Sequence, residues 1–230
     1  MTLNTITIMS GLATRGAFDQ LLPEIERTKG LKADVQWNPT TVIMKAIAAG
    51  ERADIVVATD KAIDELAAQG AVSPDSRVDL GDALLGLAVL RGQPKPDIST
   101  TDGFRQAVLA ARSVAYSRAG ASGIYFETLI ERLKIADAVR AKATVIPAGF
   151  TAERLITGEA DLAIQQISEL LTVDGIEIVG PLPPELQVAT RFTAAIFTGS
   201  PNAAAAASLL KLLTAPEAKS AYDATGMRAA

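Results

Sequence analysis

An α/β fold of two lobes, each a mostly parallel sheet flanked by helices, is predicted by three features. Short β-branched runs alternate with amphipathic stretches, glycines punctuate them, and 230 residues suit two lobes of roughly 100 residues each. Residues 3–9, with Leu3, Ile6 and Ile8 alternating, predict a strand, and residues 13–27 a helix with Phe18, Leu21, Leu22 and Ile25 on one face. Residues 33–37 predict a second strand. A further cycle has a helix over 41–49 stopped at Gly50, a strand over 54–57 and a helix over 61–69 ended by Gly70. This βαβα order implies parallel pairing with helices on both faces.

Residues 73–77 are turn chemistry, and the continuous apolar run 84–90 predicts a buried strand. The proline-rich residues 93–97 then make a stiff connection. Helices are predicted over 102–111, 122–133 and 151–157, and strands over 113–116, 144–146, 161–164 and 176–179. After the prolines of 180–184, residues 188–197 predict another strand, and 202–213 and 216–225 two closing helices.

Composition removes several function classes. A net charge of −4 without any run of Lys and Arg excludes a broad nucleic-acid surface. The absence of both cysteine and histidine removes disulfides, thiolate nucleophiles, imidazole triads and the usual transition-metal sites, so an enzyme here would rely on Asp, Glu, Lys, Tyr or Ser. Asp54, Asp60 and Asp64 are scattered without calcium-loop spacing and read as solvated or capping residues; Gly149 and Gly158 lack a dinucleotide pattern. No metal and no cofactor is expected. No apolar run is long enough to span a bilayer, and the N-terminus reads as a strand rather than an export signal. The expected location is the periplasm if an export signal has been removed and the cytoplasm if this is the native full chain.

Several strings carry a resemblance. They are Ala48-Ala-Gly-Glu-Arg-Ala-Asp-Ile-Val-Val57, Ala121-Ser-Gly-Ile-Tyr125, Gly158-Glu-Ala-Asp-Leu-Ala-Ile-Gln-Gln-Ile-Ser-Glu-Leu170 and Ile176-Glu-Ile-Val-Gly-Pro-Leu-Pro183. Over nearly its whole length the chain resembles the molybdate-binding-protein-like extracellular solute receptors. The last two strings, with Pro74-Asp-Ser-Arg-Val-Asp-Leu80 and Pro94-Lys-Pro-Asp-Ile-Ser99, resemble the branch that includes aconitate isomerase. The resemblance implies a type II periplasmic-binding-protein fold: lobe 1 from residues 1–82 plus 193–230, lobe 2 from 83–192, and a ligand cleft between them. It also implies a small anionic ligand, an organic carboxylate rather than molybdate, and an ABC-transporter permease as partner.

Candidate contacts fall where strands run into helices, because helix N-termini offer free N–H groups and a positive dipole end to an anion. Ser10 and Gly11 end the first strand; the family's serine falls where Gly11 stands, so Ser10 is displaced by one position, and its alternative use is an ordinary cap. Arg15, one turn on, is a possible carboxylate partner or a solvated surface residue. Thr40 and Thr41 open the next helix, as contacts or as a plain N-cap; Trp37 is read as a packed aromatic. Residues 117–123 make the strongest site: Ser117, Arg118, Ala121, Ser122 and Gly123 combine small residues, a helix start and a guanidinium suited to a carboxylate. Gln165 and Gln166 stand near where molybdate receptors carry a tyrosine, either contacting an extended carboxylate or satisfying loop backbone. Phe150 and Thr151 offer one more amide.

Two activities fit. A solute receptor needs only binding and domain closure. An isomerase moving a proton within an unsaturated tricarboxylate needs an acid and a base, for which Glu169, Tyr125 or a lysine are the available groups, none of them singled out as catalytic.

Overall fold

A computed structural model describes residues 5–230; Leu3, expected in the first strand, lies outside the described residues. In chain order β1 (Ile6–Ser10) leads through a 3-10 turn (Leu12–Thr14) into α1 (Arg15–Lys29), β2 (Ala33–Trp37), α2 (Thr40–Ala48), β3 (Ile55–Thr59), α3 (Asp60–Ala68) and β4 (Val78–Leu90). There follow α4 (Thr101–Ala110), β5 (Val114–Ser117), α5 (Ala121–Arg132), α6 (Ala136–Arg140), β6 (Thr144–Ile146), α7 (Glu153–Ile156), β7 (Leu162–Gln166), α8 (Ile167–Leu170) and β8 (Ile176–Pro181). The chain closes with β9 (Ala189–Ile196), α9 (Ala203–Leu213), α10 (Pro216–Ala224) and β10 (Met227–Ala229).

Two compact units result. One takes the chain up to Ala83 and again from Thr190 to Ala230; the other is Leu84–Ala189. The boundaries expected from the sequence lie after residues 82 and 192.

In the first unit β1 is flanked by β2 and β3, both parallel to it, which places Ser10 level with Trp37 and Val57. The sheet is less uniformly parallel than expected, because β9 returns antiparallel to β3 and β10 pairs antiparallel with the start of β4. Alternation along the strands builds two cores. Ile6, Ile8, Ile55 and Val57 pack on one face against Phe18 of α1, Leu209, Leu210 and Leu213 of α9 and Tyr222 of α10. Met9, Val56 and Ala58 pack on the other against Ile43 and Ile47 of α2 and Ile63 and Leu66 of α3. Each such fully buried large side chain is worth about 1.5–3 kcal/mol. The helix α1 stops at Gly30, whose φ of 66° is the left-handed turn a glycine takes at least cost.

Asp54 departs from its expected solvated or capping role. It is buried, and its carboxylate accepts hydrogen bonds from the Thr7 N–H (2.8 Å) and hydroxyl (3.0 Å), the Ser200 hydroxyl (2.7 Å) and the Asn202 amide (3.2 Å), tying β1 and β3 to the approach to α9. Burial alone would raise its pKa; these four donors outweigh that and hold it below the ordinary value.

In the second unit β5 lies between β6 and β7, both parallel to it, while β4 runs antiparallel to β7 and β8. Leu87, Val114, Tyr116, Leu162 and Ile164 face Phe104 of α4, Phe126, Leu129 and Ile130 of α5 and Val139 of α6. Ala88, Ala115 and Ala163 face Leu155 of α7 and Leu170 of α8. Thr100 caps α4 by accepting the Gly103 N–H at 3.0 Å. Several elements differ from expectation. The strand expected at 84–90 begins at Val78, α6, α8 and β10 are additional, and the helix expected over 151–157 shortens to α7 because residues 151–152 form a turn.

Candidate functional site

In the first unit the carboxyl ends of three parallel strands meet. The Asn38 N–H donates to the Ser10 carbonyl at 3.0 Å and the Gly11 N–H to the Val57 carbonyl at 2.9 Å, which binds the loops after β1 and β2 to the end of β3. Ser10 is fully buried, and its hydroxyl lies 2.9 Å from that of Thr14. Both hydroxyls also reach the Gly11 carbonyl at 3.2 Å, so this turn closes on itself. A Cβ on Gly11 would stand 2.7 Å from the Phe192 ring, so the phenyl of β9 occupies the place of any side chain there. Thr40 and Thr41 open α2, half-buried, but the cap position belongs to Pro39 and no side chain caps the helix. Arg15 lies over the Trp37 ring at 5.9 Å and within 3.7 Å of the Asp19 carboxylate, a partly exposed surface arrangement; Trp37 also packs edge-on against Phe18.

In the second unit the same ends of β6, β5 and β7 come together. Ser117 is opposite Ile146, and the β5–β7 register continued along the strands brings it level with Gln165. The Ser117 hydroxyl accepts the Gly120 N–H at 2.9 Å, and the Arg118 N–H donates to the Ile146 carbonyl at 2.8 Å, shaping the loop that opens α5. Arg118 itself is exposed, and its positive field reaches Tyr116 and Glu127. A Cβ on Gly123 would fall 1.6 Å from the Ser117 carbonyl oxygen, so only glycine lets the first turn of α5 sit against the end of β5. The amides of that turn, at Ala121, Ser122 and Gly123, have no acceptor within their own helix.

Gln165 and Gln166 lie inside β7, not after it, and have different surroundings. The Gln165 carbonyl accepts the Thr151 N–H (2.7 Å) and hydroxyl (2.9 Å), while its amide donates to the Gly149 carbonyl (2.9 Å), so Gln165 braces the loop before α7. The Thr151 amide expected to face a ligand is thereby engaged. The Gln166 amide nitrogen is buried with no hydrogen-bond partner, and so are the hydroxyls of Ser122 and Ser168. A buried donor left unmade costs about 1–3 kcal/mol. Such groups, Ser122 in the first turn of α5 and Gln166 and Ser168 where β7 runs into α8, are suited to a ligand that supplies acceptors.

Glu169, on α8, is buried, and desolvation pushes its carboxyl up to about 8 although the Gln165 side chain and the Gln166 N–H donate to it. Tyr125, the other acid–base group considered, has its hydroxyl donated to the Leu186 carbonyl at 2.7 Å. Sequence reasoning missed Thr14, Phe192 and Ser168. Thr14 stands one helical turn from Ser10 and was discoverable by that spacing; Phe192 meets Gly11 only through strand pairing. Among the described residues there is no cluster of acidic side chains able to hold a metal ion, and no helix long and apolar enough to cross a membrane.

Residues 6–228 match the family described as bacterial extracellular solute-binding protein. An aconitate isomerase of Pseudomonas sp is 37% identical over 230 residues, covering 97% of this chain and 87% of that protein. The periplasmic molybdate-binding protein of Azotobacter vinelandii superposes with a TM-score of 0.80 at 18% identity, covering 96% of this chain and 98% of that one. A substrate-binding domain from Clostridium difficile, assigned to a molybdenum ABC transporter, gives 0.70 at 15% identity over 98% and 99%. The two solved structures share the fold, and the family and branch read from the sequence strings agree with these matches.

Proposed function

Because the chain belongs to the bacterial extracellular solute-binding proteins, we propose that the anionic solute it binds is an organic carboxylate, as the receptor that serves an ABC-transporter permease outside the cytoplasmic membrane. The observation that carries this reading is the set of buried, unpartnered donors in the second unit, Ser122 in the first turn of α5 and Gln166 at the end of β7. Hydroxyl, amide and helix N–H groups suit carboxylate oxygens, and a glutamine reaches further than a contact shaped for a compact tetrahedral oxyanion. Gly123 keeps the backbone close, and Ser117 and Ala121 shape the loop; Arg118 adds positive field from the surface. In the first unit the Ser10 hydroxyl and the Gly11 N–H are engaged with Thr14 and the Val57 carbonyl, so the candidate contact of that unit is the start of α2 at Thr40 and Thr41.

A thermal-shift panel of molybdate, sulfate, citrate, cis-aconitate and trans-aconitate tests this. Ligands that bind the folded state raise its melting temperature in proportion to the logarithm of concentration over Kd. The expected result is a rise with one or more tricarboxylates and none with molybdate or sulfate; the reverse pattern contradicts the carboxylate reading.

A second reading has one observation in its favour, the buried Glu169 acid beside Gln165 and Gln166. The 37% identical relative named aconitate isomerase points the same way. On that reading the protein takes a proton from the methylene carbon of an unsaturated tricarboxylate and returns one to the far alkene carbon, moving the double bond with no net redox change. Incubation with cis-aconitate followed by proton NMR checks it: appearance of the trans isomer supports turnover, and its absence at high protein concentration leaves binding alone.

A further inference from the structure

We propose that Glu169, buried against Gln165 and Gln166 with no cation of the described residues beside it, is a positioning residue that sets the upper pH limit of anion binding in the second unit. This rests on the carboxylate-binding reading above and extends it to regulation of the same site.

The geometry is a relay. Gln165 bonds to Gly149 and Thr151 on one side and donates to the Glu169 carboxyl on the other, while the Gln166 N–H also donates to that carboxyl. Glu169 therefore meets the Gln165 side chain and the Gln166 backbone, next to the Gln166 amide that is left open, and the residue before it, Ser168, carries another unpartnered buried hydroxyl. Among the described residues no lysine or arginine pairs with Glu169.

The surrounding elements leave its charge uncompensated. The strand β7 carries no ionisable side chain. On β8 Glu177 is bonded to Lys95 at 3.1 Å. Beyond α8, Asp174 in the turn before β8 is exposed. On α7 Arg154 is engaged with Glu153 and Glu159, at 3.6 and 2.9 Å. A carboxylate buried with two donors and no cation keeps its proton to about pH 8. In the neutral state it adds no negative charge next to the half-site. Once ionised, it repels the ligand's carboxylates across a poorly screened interior and pulls the Gln165 and Gln166 groups toward itself.

The experiment is calorimetric titration of citrate into wild type and Glu169→Gln from about pH 6 to about pH 9.5, citrate's own titration being common to both. Wild type is expected to lose affinity roughly tenfold per pH unit above about pH 8. The variant, an uncharged isostere, is expected to keep its own pH 6 affinity unchanged up to about pH 9.5. Citrate binding with equal pH slopes in the two proteins overturns this inference alone, whereas no binding of citrate, cis-aconitate or trans-aconitate by wild type at pH 6 overturns the carboxylate reading beneath it. Should the variant not fold, side-chain carboxyl carbon-13 NMR of the unliganded wild type decides: one glutamate titrating near 8 is expected, and the absence of any such resonance overturns the proposal.

Discussion

The two units solve the same local problem differently. Each ends parallel strands in polar loops beneath helix N-termini, but in the first unit the polar groups close on one another, Ser10 with Thr14 at that end of the strands and Asp54 with Thr7, Ser200 and Asn202 at the other. In the second unit Ser122, Gln166 and Ser168 stay buried without partners. The buried acids repeat the contrast, since Asp54 has four donors and is ionised with a lowered pKa, while Glu169 has fewer and is held neutral. The number of local donors decides the charge of a buried carboxyl, and the number of local acceptors decides which donors remain for a ligand. The unpartnered buried donors of the described residues at these strand ends therefore belong to the second unit, while the first unit's hydroxyls there are already engaged.

Three substitutions break or sharpen the comparison. Gly123→Ala is expected to have the largest effect, because its Cβ would collide with the Ser117 carbonyl oxygen at 1.6 Å. Displacing α5 from β5 is expected to cost more than about 3 kcal/mol, read by urea unfolding. Gln166→Leu is expected to lower tricarboxylate affinity roughly 10- to 100-fold, the loss of one hydrogen bond to a charged group, while leaving stability unchanged or slightly higher because an orphaned donor is removed. Ser10→Ala is expected to show the opposite balance: about 1 kcal/mol of stability lost and affinity changed less than about threefold. A large affinity loss at Ser10 and none at Gln166 would invert the assignment.

Much of the α/β order was legible because burial leaves a periodic trace. The 33–37 and 144–146 strands coincide with β2 and β6, and glycine and proline punctuation placed most helix ends within a residue or two. Antiparallel pairing was not legible: β9 and β10 have the same residue preferences as parallel strands, and only the path of the chain sets their direction. Short helices such as α6 and α8 are too brief for periodicity to register.

For the candidate site, sequence picked out the strand ends but not the state of each group. Gln165 and Gln166 are neighbours of one residue type, yet strand alternation sends one to Thr151 and leaves the other open. Asp54 looked like any scattered acid because Ser200 and Asn202, its partners, lie far along the chain.

Hydrogen–deuterium exchange with and without a saturating tricarboxylate tests the central claim most directly, since the first-turn amides of α5 have no intrahelical acceptor and gain one from a bound carboxylate. Slowed exchange is predicted at residues 120–124 and at 165–169. Protection confined instead to the groove at the opposite end of β7, lined by Val89, Pro94, Ala107 and Leu162 and about 460 Å³ in volume, would contradict it.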